Sequence, residues 1–483
     1  MKKYIYLIFI FVFGVVTSCA DLDIANENEP DAAKVFASAA DIANIPGGAF
    51  VSLHQAVSTV NTGTAWSTNA DVLTNSWGNF GIRNMSEEPR IPIDNSLTSN
   101  DAAAISTCYS LLYGANSSGI DLEFYLSNPD NIPVIVNGTD ITAMLQAVSS
   151  YIIGRSHMIL ATLYDKGFTA DGATDLGGLE FTDYQQVRDF AVAKLENAAA
   201  IASANTFTLP NTYINGLDMS SADFAKLANT VAAQTMVLNA RNSTENAATD
   251  WAKVLTLANA GIDFDYAPIG DDNLWYDDYK LLGGGALVNG NIATTWARTD
   301  VKIMNMMDPS YPTAFPATGE APVAVTNDNR INTDFLYLPT NVYPESRGRY
   351  RFSNYCHNRY AVNSTAWNGI PMPHILKAEN DLMIAEALVR TGGNKGTAAT
   401  MINNTRVTRG GLAALTGTEA DATLLDAIYY EKIIELMNTW GGRDLAEVRR
   451  FDKLQEGSFE QLPVPGGELT LLGIEIYTFG GVQ

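Results

Sequence analysis

Two stretches of the chain set flat aromatic rings beside short polar side chains. Trp77 stands near Asn79 and Arg83 in the first, and Trp275, Tyr276, Trp296 and Trp367 fall in the second. Sugar rings have apolar faces that stack on indole and phenol rings, while their hydroxyls bond to amide, carboxylate and guanidinium groups. The chemistry predicted for Trp77, Asn79, Arg83, Trp275, Tyr276, Trp296 and Trp367 is therefore noncovalent ligand binding. The competing reading is structural, since large aromatics also plug the core beneath long loops.

Residues that would break or make bonds are less well placed. Glu379 and Glu386 lie seven apart, on one face of a helix. A glycosidase needs such a carboxylate pair across a cleft. The preferred reading is that both pair with basic groups such as Arg406 or Arg409 on the next helix. His54, His157, His357 and His374 show no His-x-x-x-His spacing, and no Cys-x-x-Cys occurs, so a three-ligand catalytic zinc site is not expected. Nor is there a Gly-x-Ser-x-Gly elbow or a phosphate loop. Gly177 and Gly178 read as a turn after a long helix. Asp271, Asp272, Asp277 and Asp278 could contribute to a structural calcium site, but the calcium-loop spacing is absent and a solvated acidic loop is preferred. The sequence reads as that of a protein that is not an enzyme and needs no cofactor.

Helices must position these residues. The first helical block covers 41–59, broken by Pro46, then 102–116 with cap chemistry from Ser99, Asn100 and Asp101. It continues through 141–164, apolar on most faces, then 184–203, 222–242 and 251–260. Ser220 and Asp250 supply the caps of the last two. The second block covers 374–391, stopped by Gly392 and Gly393, then 397–408 and 421–438. Paired helices with short turns and interfacial alanines predict a mainly α fold of stacked tetratricopeptide-like hairpins. Residues 262–373 differ, holding nine of the 18 prolines and nine of the 21 tyrosines. Proline at that density excludes long helices, and long irregular segments in compact proteins are usually functional. Residues 61–98 have the same character. The expectation is one domain over 35–483, with loop-rich insertions at about 61–98 and 262–373 gathered on one face.

The first residues read as targeting rather than fold. Lys2 and Lys3 precede an uncharged apolar run over 4–16, too short to span a bilayer. Thr17 and Ser18 then lead to Cys19, as in a bacterial lipoprotein cleavage box. Residues 1–18 are expected to be a signal peptide, Cys19 an acylated membrane anchor, and 19–34 an acidic flexible tether. Removing Lys2 and Lys3 takes the formal charge from −23 to −25. Such a surface repels nucleic acid and anionic lipid. Cys108 and Cys356 do not demand a disulfide.

Several motifs, in order, resemble the SusD/RagB family of Bacteroidetes lipoproteins. Residues 376–388 look like its signature helix, with an early Glu379 and a late Ala385-Glu386-Ala387. Ile402-Asn403, Arg406 and Arg409 to Leu412 resemble the next helix and turn. Glu431, Glu435 and Leu436 resemble the helix after it. Leu462 to Pro465 with Glu468-Leu469 is similar to the closing motif, and Tyr109 to Asn116 to an N-terminal one. Thr439-Trp440 departs from the family's Glu-Gly, and the middle of the chain matches nothing. Acidic residues after Cys19 resemble the family's surface-export signal. The resemblance implies a SusD-like α-α superhelix on the outside of the outer membrane, with the acylated Cys19 anchored in outer-membrane lipid. It also implies capture of oligosaccharides or polysaccharides and delivery to a SusC-like TonB-dependent transporter. A peptide-binding lid of the RagB kind and a surface glycoside hydrolase are the alternatives.

Overall fold

Helix α1 (Ala39–Ser58) runs straight through Pro46, where the sequence predicts a break. Proline removes one intrahelical donor, yet Ala49, Phe50, Leu53, Ala56 and Val57 are all buried, and that packing outweighs the loss. The structure is a computed structural model and describes residues 36, 38–76, 78, 81–280, 297–340, 345–360 and 369–482. Cys19, Trp77, Asn79, Trp296 and Trp367 lie outside the described residues. The chain forms two units, 1–42 and 43–483. In the first, Ser38 Oγ accepts from the Asp41 N–H at 3.1 Å. The second holds the helical scaffold and both loop-rich segments.

Helices α2 (Val60–Asn69), α3 (Ala102–Ser127), α4 (Thr142–Leu163), α5 (Tyr184–Ala204) and α6 (Ser221–Leu238) come next. From α3 to α6 each packs on the next. Helix α4 is buried on every side from Ala147 to Leu163, as its apolar sequence requires. Gly154 lets α5 approach, because a Cβ there would sit 2.7 Å from Leu195 Cγ. Ser220 caps α6 by accepting from the Asp223 N–H at 3.1 Å. Helix α6 ends at Leu238 rather than 242, and Asn242 instead caps the short α7 (Ser243–Ala248). Asp250 caps α8 (Trp251–Asn259) as expected.

The loop-rich stretch after α8 holds only short helices among its described residues, α9 (Val301–Met307) and α10 (Arg330–Thr333). Helices α11 (Lys377–Arg390), α12 (Lys395–Arg406) and α13 (Asp421–Ile434) then form the second block, ahead of α14 (Arg443–Arg449) and α15 (Gly466–Leu471). Leu382, Ala385 and Val389 of α11 meet Ala398 and Ile402 of α12 and Leu424 and Ile428 of α13. Each fully buried aliphatic side chain here contributes about 1.5–3 kcal/mol. Gly392 takes φ +67° and ends α11, the left-handed stop its residue type favours. The architecture is mainly α, with paired helices stacked in sequence, as expected.

Among the described residues, ten short strands pair in twos. One pair joins β1 (Leu73–Thr74) to β2 (Arg298–Thr299), antiparallel, with Thr74 opposite Arg298. Among the described residues no helix is long and apolar enough to cross a membrane. Cys108 and Cys356 are buried and form no disulfide.

Candidate functional site

The β1–β2 pair stitches the two loop-rich segments together, and buried charges reinforce the seam. Asp300 N–H donates to Val72 O at 3.0 Å. Arg351 reaches Asp71 at 3.0 Å and Asp300 at 2.9 Å, while Arg90 also pairs with Asp71. Lys302 lies 3.9 Å from Asp71 and Glu88 lies 3.8 Å from Arg351. Burial pushes the Asp300 carboxyl up, against the pull of Arg351. Three acids thus meet three cations, which is how buried charge becomes tolerable.

Residues 271–280 form the second attachment and lie along α1 and α2. Asp271 accepts from the N–H groups of Asn273 and Trp275, both at 2.8 Å. Gln55 donates to Leu274 O at 3.2 Å, and His54 Nε2 lies 3.1 Å from Tyr276 O. The Val60 N–H at the start of α2 donates to Asp278 Oδ1 at 2.6 Å. Burial lifts the Asp278 carboxyl to about 7, against the pull of that bond, with Asp277 adding to the rise. Asp277 itself pairs with the buried Lys280. Tyr279 lies flat on Gly63, where a Cβ would come within 2.4 Å of its ring, and its hydroxyl bonds to Ser67 and Asn438. Asp271, Asp277 and Asp278 are thus engaged in local structure, and the burial of Asp277 corrects the expectation of a solvated acidic loop. Among the described residues no group of three or more His, Cys, Asp or Glu could hold a metal ion, so they assemble no calcium cage.

The two insertions are brought together, but the individual ring positions divide. Trp275 is only 6% exposed and packs on the His54 ring with centroids 4.9 Å apart. It belongs to the interior packing, which corrects its assignment as a ligand platform. Tyr276 is half-buried, and burial plus Asp278 and Asp277 push its hydroxyl up to about 12. Arg83 is partly exposed and held by Glu87 at 3.1 Å. Trp66, Trp251 and Trp440 are buried as well, so every tryptophan among the described residues serves the core.

Sequence spacing gave no sign of the pair behind Trp275. His54 Nδ1 and His374 Nε2, 320 residues apart, lie 3.0 Å from each other. Phe50, Leu53, Tyr151, Arg155 and Tyr266 complete their surround, with a void of about 20 Å³. Burial lowers His54 to about 4 and His374 well below its usual range. Two neutral imidazoles sharing a proton fit a buried joint.

Glu379 and Glu386 are structural, but not with the expected partners. Glu386 is fully buried against Arg450 at 2.7 Å, Lys432 at 2.8 Å and Arg390 at 2.9 Å. Those cations hold its carboxyl well below the usual range despite burial. Glu379 lies 3.6 Å from Arg443. Arg406 instead donates to Ala413 O, and Arg409 pairs with Glu435 and Asp334. A groove of about 410 Å³ between α5 and α8 holds Asp189, Glu196 and Asp250. There Asp189 pairs with Arg188 and Glu196 with Lys253, while Asp250 caps α8.

Comparison with known proteins places this architecture. No family model matches the chain, and no curated protein matches it. Solved structures do. A SusD homolog from Bacteroides thetaiotaomicron superposes with a TM-score of 0.61 at 12% identity, covering 90% of this chain and 96% of that one. A SusD superfamily protein from Parabacteroides distasonis also gives 0.61, at 11% identity, covering 88% and 96%. Surface glycan-binding protein A from Bacteroides uniformis gives 0.51 at 16% identity, covering 75% and 82%. The chain has the SusD fold, and the resemblance read from its helices and closing motif holds at that level.

Proposed function

We propose that this protein is a cell-surface lipoprotein that binds glycans and passes them to a TonB-dependent outer-membrane transporter of the SusC type. The observation that carries the reading is the joining of two aromatic-rich segments at one seam on a SusD-type helical scaffold. One of the solved structures sharing the fold is named as a surface glycan-binding protein. Cys19, acylated after removal of residues 1–18, would anchor the chain, and residues 19–34 would tether a single domain over 35–483. With Trp275 in the interior, stacking falls to Trp77, Trp296 and Trp367, with Asn79, Arg83 and Tyr276 supplying polar contacts. Binding without chemistry fits carboxylates that are spent on ion pairs and helix caps.

The test is a binding screen of the chain without its first 19 residues. Immobilised polysaccharides and mixed peptides are the probes, and reducing-end release is measured in parallel. Binding to one glycan class, weakened by Trp77→Ala, Trp296→Ala or Trp367→Ala and with no product formed, is the expected result. Binding to peptides alone, indifferent to those changes, would replace the reading with a peptide-binding one. Product release would make the protein a hydrolase.

A further inference from the structure

Residues 464–482 and the loop 90–97 make a second joined surface, which touches the seam at Arg90 and takes no part in the glycan reading. Asn95 Nδ2 donates to Val464 O at 2.9 Å and Tyr477 O at 3.0 Å, and its Oδ1 accepts from the Gly466 N–H. The Ile93 N–H donates to Phe479 O, and the Val482 N–H to Arg90 O, both at 3.1 Å. These bonds fix the backbone while its aliphatic side chains face outward. Leu471 is 83% exposed and Leu97 59%, and Ile91, Leu472, Ile474 and Ile476 are exposed as well. Leu97 and Ile476 flank the start of α15, and Leu471 and Leu472 close its other end. A Cβ on Gly467 would touch Leu97 at 3.6 Å, and one on Gly466 would touch Ile476 at 3.4 Å. Exposed apolar patches of this kind mark interaction sites.

The charge around the patch selects its occupant. Residues 454–482 contain Glu456, Glu460, Glu468 and Glu475 and no Lys or Arg. Asp94 is exposed on the facing loop. Arg90 is buried against Asp71, and Lys166, 5.1 Å over the Tyr477 ring, lies 3.8 Å from Asp165. An aliphatic centre with an acidic rim repels anionic lipid, the acidic stretch at 19–34 and a second copy presenting the same face. It complements an apolar patch rimmed by Lys and Arg.

We infer that the surface formed by Leu97, Leu471, Leu472, Ile474 and Ile476 docks a different protein through an apolar patch with a basic rim. The test uses the full chain in the cells that make it, with a photo-crosslinking residue at Leu471 and a control at Val325, which is also exposed. The expected result is one discrete adduct from Leu471 and none from Val325. The adduct peptide should carry aliphatic residues flanked by Lys or Arg. Leu471→Asp/Leu472→Asp should reduce the adduct by at least about tenfold, because it places charge in the apolar centre. Glu468→Lys/Glu475→Lys, which leaves that centre intact, should reduce it too. An adduct with lipid, with another copy, with residues 19–34 or with a peptide lacking basic residues would overturn the inference. So would no adduct, or one indifferent to both double variants. None of these outcomes depends on whether a glycan binds, so the two readings stand or fall separately.

Discussion

Trp275→Ala separates interior packing from ligand contact in the aromatic segments. The ring is 6% exposed, rests on His54 and borders a void of only about 20 Å³. Its removal leaves a hole that this close-packed surround cannot collapse into. Such truncations cost about 3–5 kcal/mol. For a chain of 483 residues the unfolding entropy is roughly 1 kcal/mol per kelvin. The melting temperature should therefore fall by about 3–5 °C. Scanning calorimetry reads that shift, and titration calorimetry with the glycan found in the screen reads affinity well below the transition. The expected pattern is a clear loss of stability with Kd changed by less than about twofold. A Kd weakened by more than about tenfold with the melting temperature unmoved would refute the reasoning, because it would mean that the ring contacts ligand.

Three further substitutions test the scaffold. Glu386→Ala leaves the fully buried Arg450 and Lys432 sharing the single carboxylate of Glu447 and should cost about 3–5 kcal/mol in urea unfolding; a loss below about 1 kcal/mol would show that the cluster relaxes freely. Gly63→Ala drives a methyl into the Tyr279 ring and should cost about 1–3 kcal/mol, partly restored by Tyr279→Leu; an unchanged melting temperature would deny the close approach. The folded Asp278 carboxyl sits near 7, above its unfolded value of 3.8. The stability it contributes is therefore complete below about 3.8 and is lost as pH rises through 7. Asp278→Asn should gain on the parent as pH rises from 3.8 to about 7, by up to about 1.4 kcal/mol per unit of displacement, and a pH-independent difference would refute this.

What the sequence made legible was local. Ser220 and Asp250 cap their helices because a cap needs only a side chain and an N–H three residues away. Gly392 ends α11 because its left-handed φ is a property of one residue. Asp101 shows where local reasoning fails. Expected to cap α3, its side chain instead accepts from Asn84 and from the Asp94 N–H, fastening the loop ahead of the helix. The His54–His374 joint and the Arg351 bridge to Asp71 join residues about 300 positions apart, and no spacing rule reaches that far. Composition marked 61–98 as loop-rich, where the structure instead opens the stretch with the buried helix α2 (Val60–Asn69), and it could not tell an interior ring from an outward one. That distinction depends on which helix face lies beneath, and for Trp275 the face is that of α1.

The β1–β2 register carries the reasoning about the seam one step further. Thr74 lies opposite Arg298, so the antiparallel pair runs toward Asn75 on one strand and Ala297 on the other. Both are buried. Trp77 follows Ser76 directly, and Trp296 directly precedes Ala297. Residues opposed across such a pair are about 5 Å apart, as Thr74 and Arg298 are placed, while Trp77 and Trp296 lie outside the described residues. If both stack on one glycan, their contributions should not add. A double-mutant cycle with Trp77→Ala and Trp296→Ala should give a coupling of about 0.5–3 kcal/mol in glycan affinity, whereas independent sites add to within about 0.5 kcal/mol. Coupling would mean that the seam itself builds the binding site. Strict additivity would mean that the two rings serve separate contacts and that β1–β2 only holds the loops in place.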